Sequence, residues 1–180
     1  MKVYFDMDGV LSDLEGDVAR LSGFDDVRDM KSRGLMHENY LKQREDVGPY
    51  ELFSEGTPIQ PQRTRQLMME IHAAGHTIEI LTSLGVNSPL DLGDETHRGK
   101  ADWLREHYSD LFEMGVVDRM NTTTKGWQKA FYANPDSLLI DDWKRNTDAF
   151  QKAGGLVVVF DRFSYNESVA QVRAVLGLEG

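Results

Sequence analysis

The sequence predicts an α/β protein: a doubly wound parallel sheet of five strands in the order 3-2-1-4-5, with a small helical cap inserted after the first strand. Three observations predict it. Short β-forming runs alternate with stretches of helical periodicity along most of the chain. The central runs end in acids or hydroxyls, as parallel strands do where they face a ligand. One interval, Asp13 to about Pro58, has no clear strand and is too long for an ordinary loop.

The strands are expected at Lys2 to Phe5, His76 to Leu81, Gly115 to Val117, Ser137 to Ile140 and Leu156 to Phe160. Within the interval, Leu11, Leu14, Val18 and Leu21 make a helical stripe, and Met36 to Glu45 predicts a second helix, with Gly23, Gly34 and Gly48-Pro49 as punctuation. Leu67, Met68, Ile71 and Ala74 place a helix over Gln66 to Ala74, beginning near Pro61 and closed by Gly75. Lys100 to Phe112 carries Ala101, Leu104, Tyr108, Leu111 and Phe112 on one side. A short helix, Gly126 to Ala133, stops before Asn134-Pro135, and another, Trp143 to Ala153, ends at Gly154-Gly155. The last, Glu167 to Leu176, repeats Val169, Val172 and Leu176. The chain thus divides into a Rossmann-like core, residues 1–12 and 59–180, and a cap, residues 13–58, placed over the carboxyl ends of the strands.

Composition narrows the function classes. With 180 residues, 40% hydrophobic content and a net charge of −10, the chain reads as globular and ill suited to long nucleic acids, which need basic surfaces. Its longest apolar runs are strand-sized, so no membrane partner is expected. The absence of cysteine removes disulfides and thiolate metal sites and fits a reducing cytoplasm.

Four strand-end groups carry the chemistry. The first strand ends in Asp6 and Asp8, the second in Thr82 and Ser83, and the fourth in Asp141 and Asp142. Lys125 opens the short helix before the fourth strand. In the order 3-2-1-4-5 the first and fourth strands flank the topological switch point, so the acids meet across one crevice. Buried acids need a cation, and oxygen ligands without cysteine point to Mg²⁺. Thr82 and Lys125 add a hydroxyl and an ammonium suited to the outer oxygens of a phosphoryl group.

Other readings of these residues are weaker. An Asp-x-Asp-Gly run also opens calcium loops, but Val10, Leu11 and Asp17 stand where such a loop needs an acid, a glycine and a glutamate. His72 and His76 are spaced for zinc on a helix, yet Gly75 intervenes. Lys100 reads as a surface residue at a helix start and a rival to Lys125. Trp103, Trp127 and Trp143 read as packing residues.

"DMDGVLSD", "ILTS", Lys125 and "LLIDD", in this order, resemble the four motifs of the haloacid dehalogenase-like superfamily of phosphatases and phosphotransferases. Within it, "YFDMDGVLSD", "GHTIEILTS", "KADWLREHYSDLF" and "LLIDDWKRN" resemble the cytosolic 5′(3′)-deoxyribonucleotidase family. The resemblance implies an Mg²⁺-dependent phosphomonoesterase in which Asp6 is the nucleophile and Asp8 the general acid and base. It implies Mg²⁺ held by the Asp6 carboxylate, the Asp8 carbonyl and Asp142. Asp142 is preferred to Asp141 because the strand should run through Ile140, leaving the second acid free in the turn. Asp141 would then orient Lys125 or a water, and Asn146 would steady the Asp142 turn. Thr82, Ser83 and Lys125 would hold phosphate. The similar nucleotidases bind the base between cap aromatics, which makes Tyr40, Tyr50 and Phe53 the specificity residues here. The expected partner is a small phosphorylated substrate, a nucleotide first, and a homodimer is compatible with the sequence. A sugar-phosphate phosphatase or phosphomutase is the alternative, and a non-catalytic phospholigand-binding module a third reading.

Overall fold

The computed structural model describes residues 1–85 and 93–178. Five strands, β1 (Lys2–Phe5), β2 (Thr77–Ser83), β3 (Val117–Thr123), β4 (Ser137–Asp141) and β5 (Leu156–Val159), form one parallel sheet in the order β3-β2-β1-β4-β5. That is the predicted order: the chain runs outward from β1 through β2 to β3, then returns to the other side of β1 for β4 and β5.

Three helices, α5 (Pro61–Ala73), α6 (Gly93–Glu113) and α8 (Tyr165–Leu176), cover one face. There Val3, Phe5, Ile78, Ile80, Leu138 and Ile140 meet Leu67, Met68 and Ile71 of α5, Trp103 and Leu104 of α6, and Val172 of α8. On the other face Tyr4, Leu81 and Leu139 pack with Phe150 of α7 (Lys144–Lys152) and with Tyr132 of a 3₁₀ segment, Gly126–Tyr132. Alternate residues of each strand serve opposite faces, so these buried strands read as unbroken apolar runs.

Between β1 and α5 lie α1 (Leu14–Leu21), α2 (Val27–Ser32), α3 (Met36–Asp46) and α4 (Pro49–Ser54). They gather an apolar cluster of their own from Val18, Ala19, Val27, Met30, Leu52 and Phe53. Leu21, expected on the inner stripe, is 51% exposed because α1 ends there and turns out through Ser22 and Gly23. The entering and leaving chains are zipped together. Asp13 N–H donates to the Thr57 carbonyl (2.8 Å) and Ile59 N–H to that of Leu11 (2.7 Å). Asp17, buried, accepts from both the backbone N–H and the hydroxyl of Thr57 at 2.8 Å. The inserted helices also rest on α6: Gly99 comes so close to α4 that a Cβ there would lie 2.6 Å from the Tyr50 carbonyl oxygen.

Candidate active site

Asp6 follows β1 directly and stays in register, its N–H donating to the Ile140 carbonyl of β4 at 2.9 Å. The chain then folds back sharply: Leu11 and Ser12 N–H groups both bond the Met7 carbonyl. Gly9 makes this turn at φ +79°, and a Cβ on it would fall 2.1 Å from Asp142 Oδ2. The glycine is therefore required twice, by the left-handed backbone and by the carboxylate seated against it.

Two buried lysines reach this turn from different elements. Lys129, on the 3₁₀ segment, places Nζ 2.7 Å from Asp6 Oδ2 and 2.6 Å from Asp141 Oδ2. Lys100, on α6, places Nζ 2.5 Å from Asp8 Oδ2, and donates to Thr82 Oγ1 (2.8 Å) and the Ser83 carbonyl (3.0 Å). Asp141 is satisfied within the protein. It accepts from Lys129, from Trp143 N–H (2.8 Å) and from Asn146 Nδ2 (3.1 and 3.2 Å). Asp142 receives no hydrogen bond from a described residue, although its carboxylate clusters with those of Asp6 and Asp141 within 4.8 Å. Asp8 Oδ1 is buried and also has no partner among the described residues.

The electrostatics follow from this crowding. Burial pushes the Asp6 carboxyl up to about 7; Lys129 opposes the rise, while Asp141 and Asp8 add to it. Burial first, then the charges of Asp6 and Asp141, hold Asp142 well above the ordinary carboxylate range. Burial alone would lower Lys129, but Asp6 and Asp141 outweigh it and keep the ammonium charged. Four carboxylates (Asp6, Asp8, Asp141, Asp142) face two ammonium groups, an excess of two negative charges. An oxygen-only cluster with that excess fits a hard divalent cation such as Mg²⁺.

Several expected roles move. The ammonium beside Thr82 belongs to Lys100, not Lys125; Lys125 stands at the amino-terminal cap of the 3₁₀ segment, its N–H donating to Gln128 Oε1 (2.9 Å). Lys100 reads as a surface helix start only if α6 begins there. The helix in fact begins by Gly93, so Lys100 lies on its inner face in step with Thr96, Trp103 and Leu104. That spacing of four and then three or four was the available signal. Lys129 had none, since a 3₁₀ turn this short carries no period. Asp141 orients Lys129 rather than Lys125, and Asn146 fixes Asp141 rather than the Asp142 turn. The Asp8 side chain pairs with Lys100 and is not part of the acid cluster. Ser83 offers Lys100 its carbonyl, while its hydroxyl accepts from Gly85 N–H (3.2 Å).

The three aromatics of the insertion separate. Phe53 is buried with its ring 4.8 Å from Lys100 Nζ, and so borders the crevice. Tyr40 lies by Gly85, just past Ser83, next to Arg44, which donates to the Gly85 carbonyl and Thr96 Oγ1 at 3.3 Å. Tyr50 turns to α6, its hydroxyl donating to Asp102 (2.9 Å) under the Arg98 guanidinium. Trp103 packs as expected, but Trp127 and Trp143 are 48% and 60% exposed.

No protein-family model matches the chain, and no curated protein matches it by sequence. Solved structures do. A hydrolase from Streptococcus pneumoniae TIGR4 is 14% identical, with a TM-score of 0.56 over 98% of this chain and 97% of that one. A HAD family hydrolase from Deinococcus radiodurans R1, with bound phosphate and sodium, is 17% identical, with a TM-score of 0.56 over 98% and 96%. D,D-heptose 1,7-bisphosphate phosphatase from Burkholderia thailandensis is 13% identical, with a TM-score of 0.50 over 94% and 84%. The chain thus shares the fold of haloacid dehalogenase-like hydrolases.

Proposed function

We propose that the chain is an Mg²⁺-dependent phosphomonoesterase that acts through an aspartyl-phosphate on Asp6, with a (deoxy)nucleoside monophosphate as substrate. The observation that carries this reading is the single buried crevice in which Asp6, Asp8 and Asp142 face Lys100 and Thr82. Asp6 and Asp142, with the Asp8 carbonyl, are the groups that would hold Mg²⁺, which when bound neutralises phosphate charge and lowers the barrier to attack by an anion. Lys100 and Thr82 bind the outer phosphoryl oxygens. An Asp6 oxygen forms a bond to phosphorus as the ester oxygen leaves, and Asp8 delivers its proton to that oxygen. Asp8 then takes a proton from water, whose oxygen bonds to phosphorus and frees Asp6.

The nucleotide assignment is supported by the motif resemblance and by Phe53, an aromatic ring beside Lys100. The inserted helices act in this reading as a cap that selects the leaving group. The engagement of Tyr50 with Asp102 favours the second reading, a sugar-phosphate or other small-metabolite phosphatase, because it removes one stacking surface. A panel of phosphomonoesters assayed with Mg²⁺ tests both, with Asp6→Asn as control. Turnover is expected to need metal and Asp6; hydrolysis surviving either loss overturns the mechanism. Sugar phosphates turned over far better than nucleotides would leave a phosphatase and remove the nucleotide.

A further inference from the structure

The core uses one of the three tryptophans and leaves the other two in solvent beside the crevice. Trp103 is fully buried, whereas Trp143 and Trp127 are the exposed pair. Both stand in turns at the carboxyl edge of the sheet. Trp143 follows Asp142 directly; its N–H donates to Asp141 Oδ1 (2.8 Å) and its carbonyl accepts from Asn146 N–H (2.8 Å). Trp127 precedes by one turn the Lys129 that reaches Asp6 and Asp141. The two turns touch, since a Cβ on Gly126 would lie 2.3 Å from Asn146 Oδ1. Phe131 meets the Trp127 indole edge-on, with ring centres 5.7 Å apart. Neither turn holds an acid over residues 124–133 and 143–147, in a chain of net charge −10. They carry Lys125, Lys144, which pairs with Asp148 (2.5 Å), and the exposed Arg145. This rim therefore joins open aromatic faces to the basic part of an acidic surface, which suits a ligand that is both aromatic and anionic.

We propose that Trp143, with Trp127 beside it, is a stacking platform for the aromatic base of the leaving group, so that the core and not the cap grips the base. The inference rests on the proposed function for its substrate class. Two of the three cap aromatics offer little open ring: Phe53 is buried, and the Tyr50 hydroxyl is bonded to Asp102. An indole face supplies contact area without a hydrogen-bond code, so the platform accepts purines and pyrimidines alike. The Trp143 backbone is already held on both sides, which leaves little ordering to be done on binding. The cations of the two turns draw in the phosphorylated ligand and leave recognition of the base to the indoles.

The test measures kcat/KM for the four deoxynucleoside 5′-monophosphates against deoxyribose 5-phosphate, the same ester without a base. Trp143→Ala is expected to lower the preference for the nucleotides about tenfold, Trp127→Ala to lower it less, and Trp143→Phe to keep most of it. A preference that survives Trp143→Ala overturns the proposal. So does a parallel loss toward both esters, which is the pattern of a structural role. Binding is read separately by calorimetry on Asp6→Asn with Mg²⁺, where adding Trp143→Ala should weaken the nucleotides about tenfold relative to inorganic phosphate. Nucleotides hydrolysed with a preference indifferent to Trp143 remove the platform and leave the nucleotide reading standing. Nucleotides bound through Trp143 but never hydrolysed remove the phosphatase and leave the platform. A wild type that neither binds nor prefers nucleotides removes both. Self-association in sedimentation that Trp143→Ala abolishes, with the preference intact, would assign this surface to a second copy of the chain and overturn the proposal.

Discussion

At the scale of single residues, the site is a set of acids sorted by their partners. Asp141 is saturated by Lys129, Asn146 and a backbone N–H, whereas Asp142 accepts from no described residue. A strand running through Ile140 leaves Asp142 in the turn, and β4 does reach Asp141 before the chain turns. Asp6, Asp8 and Thr82 were legible as strand-end groups. The lysines were not, because a lone lysine carries no spacing until the element that bears it is placed. Lys100 and Lys125 are separable by experiment. Lys100→Met is expected to lower kcat toward a phosphomonoester about 10²-fold or more, and Lys125→Met far less. Steady-state kinetics of both variants decide which ammonium faces phosphate.

Elements were legible where burial imposed a pattern. The strands β1, β2 and β4 are buried on both faces and appear as apolar runs, and β2 tolerates Glu79 only because Lys2 (2.7 Å) and Asn121 Nδ2 (2.6 Å) meet its carboxylate. At the sheet edge β3 runs to Thr123, beyond the expected Val117; Asp118 and Arg119 are exposed and most of the residues after them are polar, so its second half carries no apolar run. Helices α2 and α4, of six residues each, are too short to show a period, so they were invisible. The contact of α4 with α6 depends on Gly99. Gly99→Val would drive side-chain atoms into the Tyr50 carbonyl and the Phe53 side chain, and is expected to cost about 1–3 kcal/mol. Because Lys100 is the next residue, kcat should fall with it. Denaturant melts and kinetics on one preparation test the pair of effects.

Across the whole molecule, the inserted helices are tied to the core at several separate points. Their connectors pair through Asp13 and Thr57 and through Leu11 and Ile59. The Trp103 indole N–H donates to the Gly56 carbonyl (2.6 Å), Arg162 pairs with Asp13, and Arg44 reaches Gly85 and Thr96. Asp17 is the clasp, since it accepts from both the N–H and the hydroxyl of Thr57. Asp17→Ala leaves a backbone N–H without its acceptor and is expected to cost about 1–3 kcal/mol. Hydrogen exchange should quicken at Thr57 and the connectors while the sheet stays protected. Uniform quickening would mean that the insertion and core unfold as one unit. None of these ties was visible in the sequence, because each joins residues distant along the chain.

The exposure of Trp143 gives the protein an optical handle on its own chemistry. Its backbone N–H is fixed to Asp141 and its neighbour in the chain is Asp142, while the indole stands in solvent. Trp103 is shielded and Trp127 is part-exposed. A soluble quencher therefore reaches two of the three indoles, and replacing Trp127 by phenylalanine leaves one accessible emitter beside the acid cluster. If the proposed function holds, cation or phosphate entering the crevice is expected to alter the light from that emitter, so occupancy could be followed in real time without a label or a coupled assay.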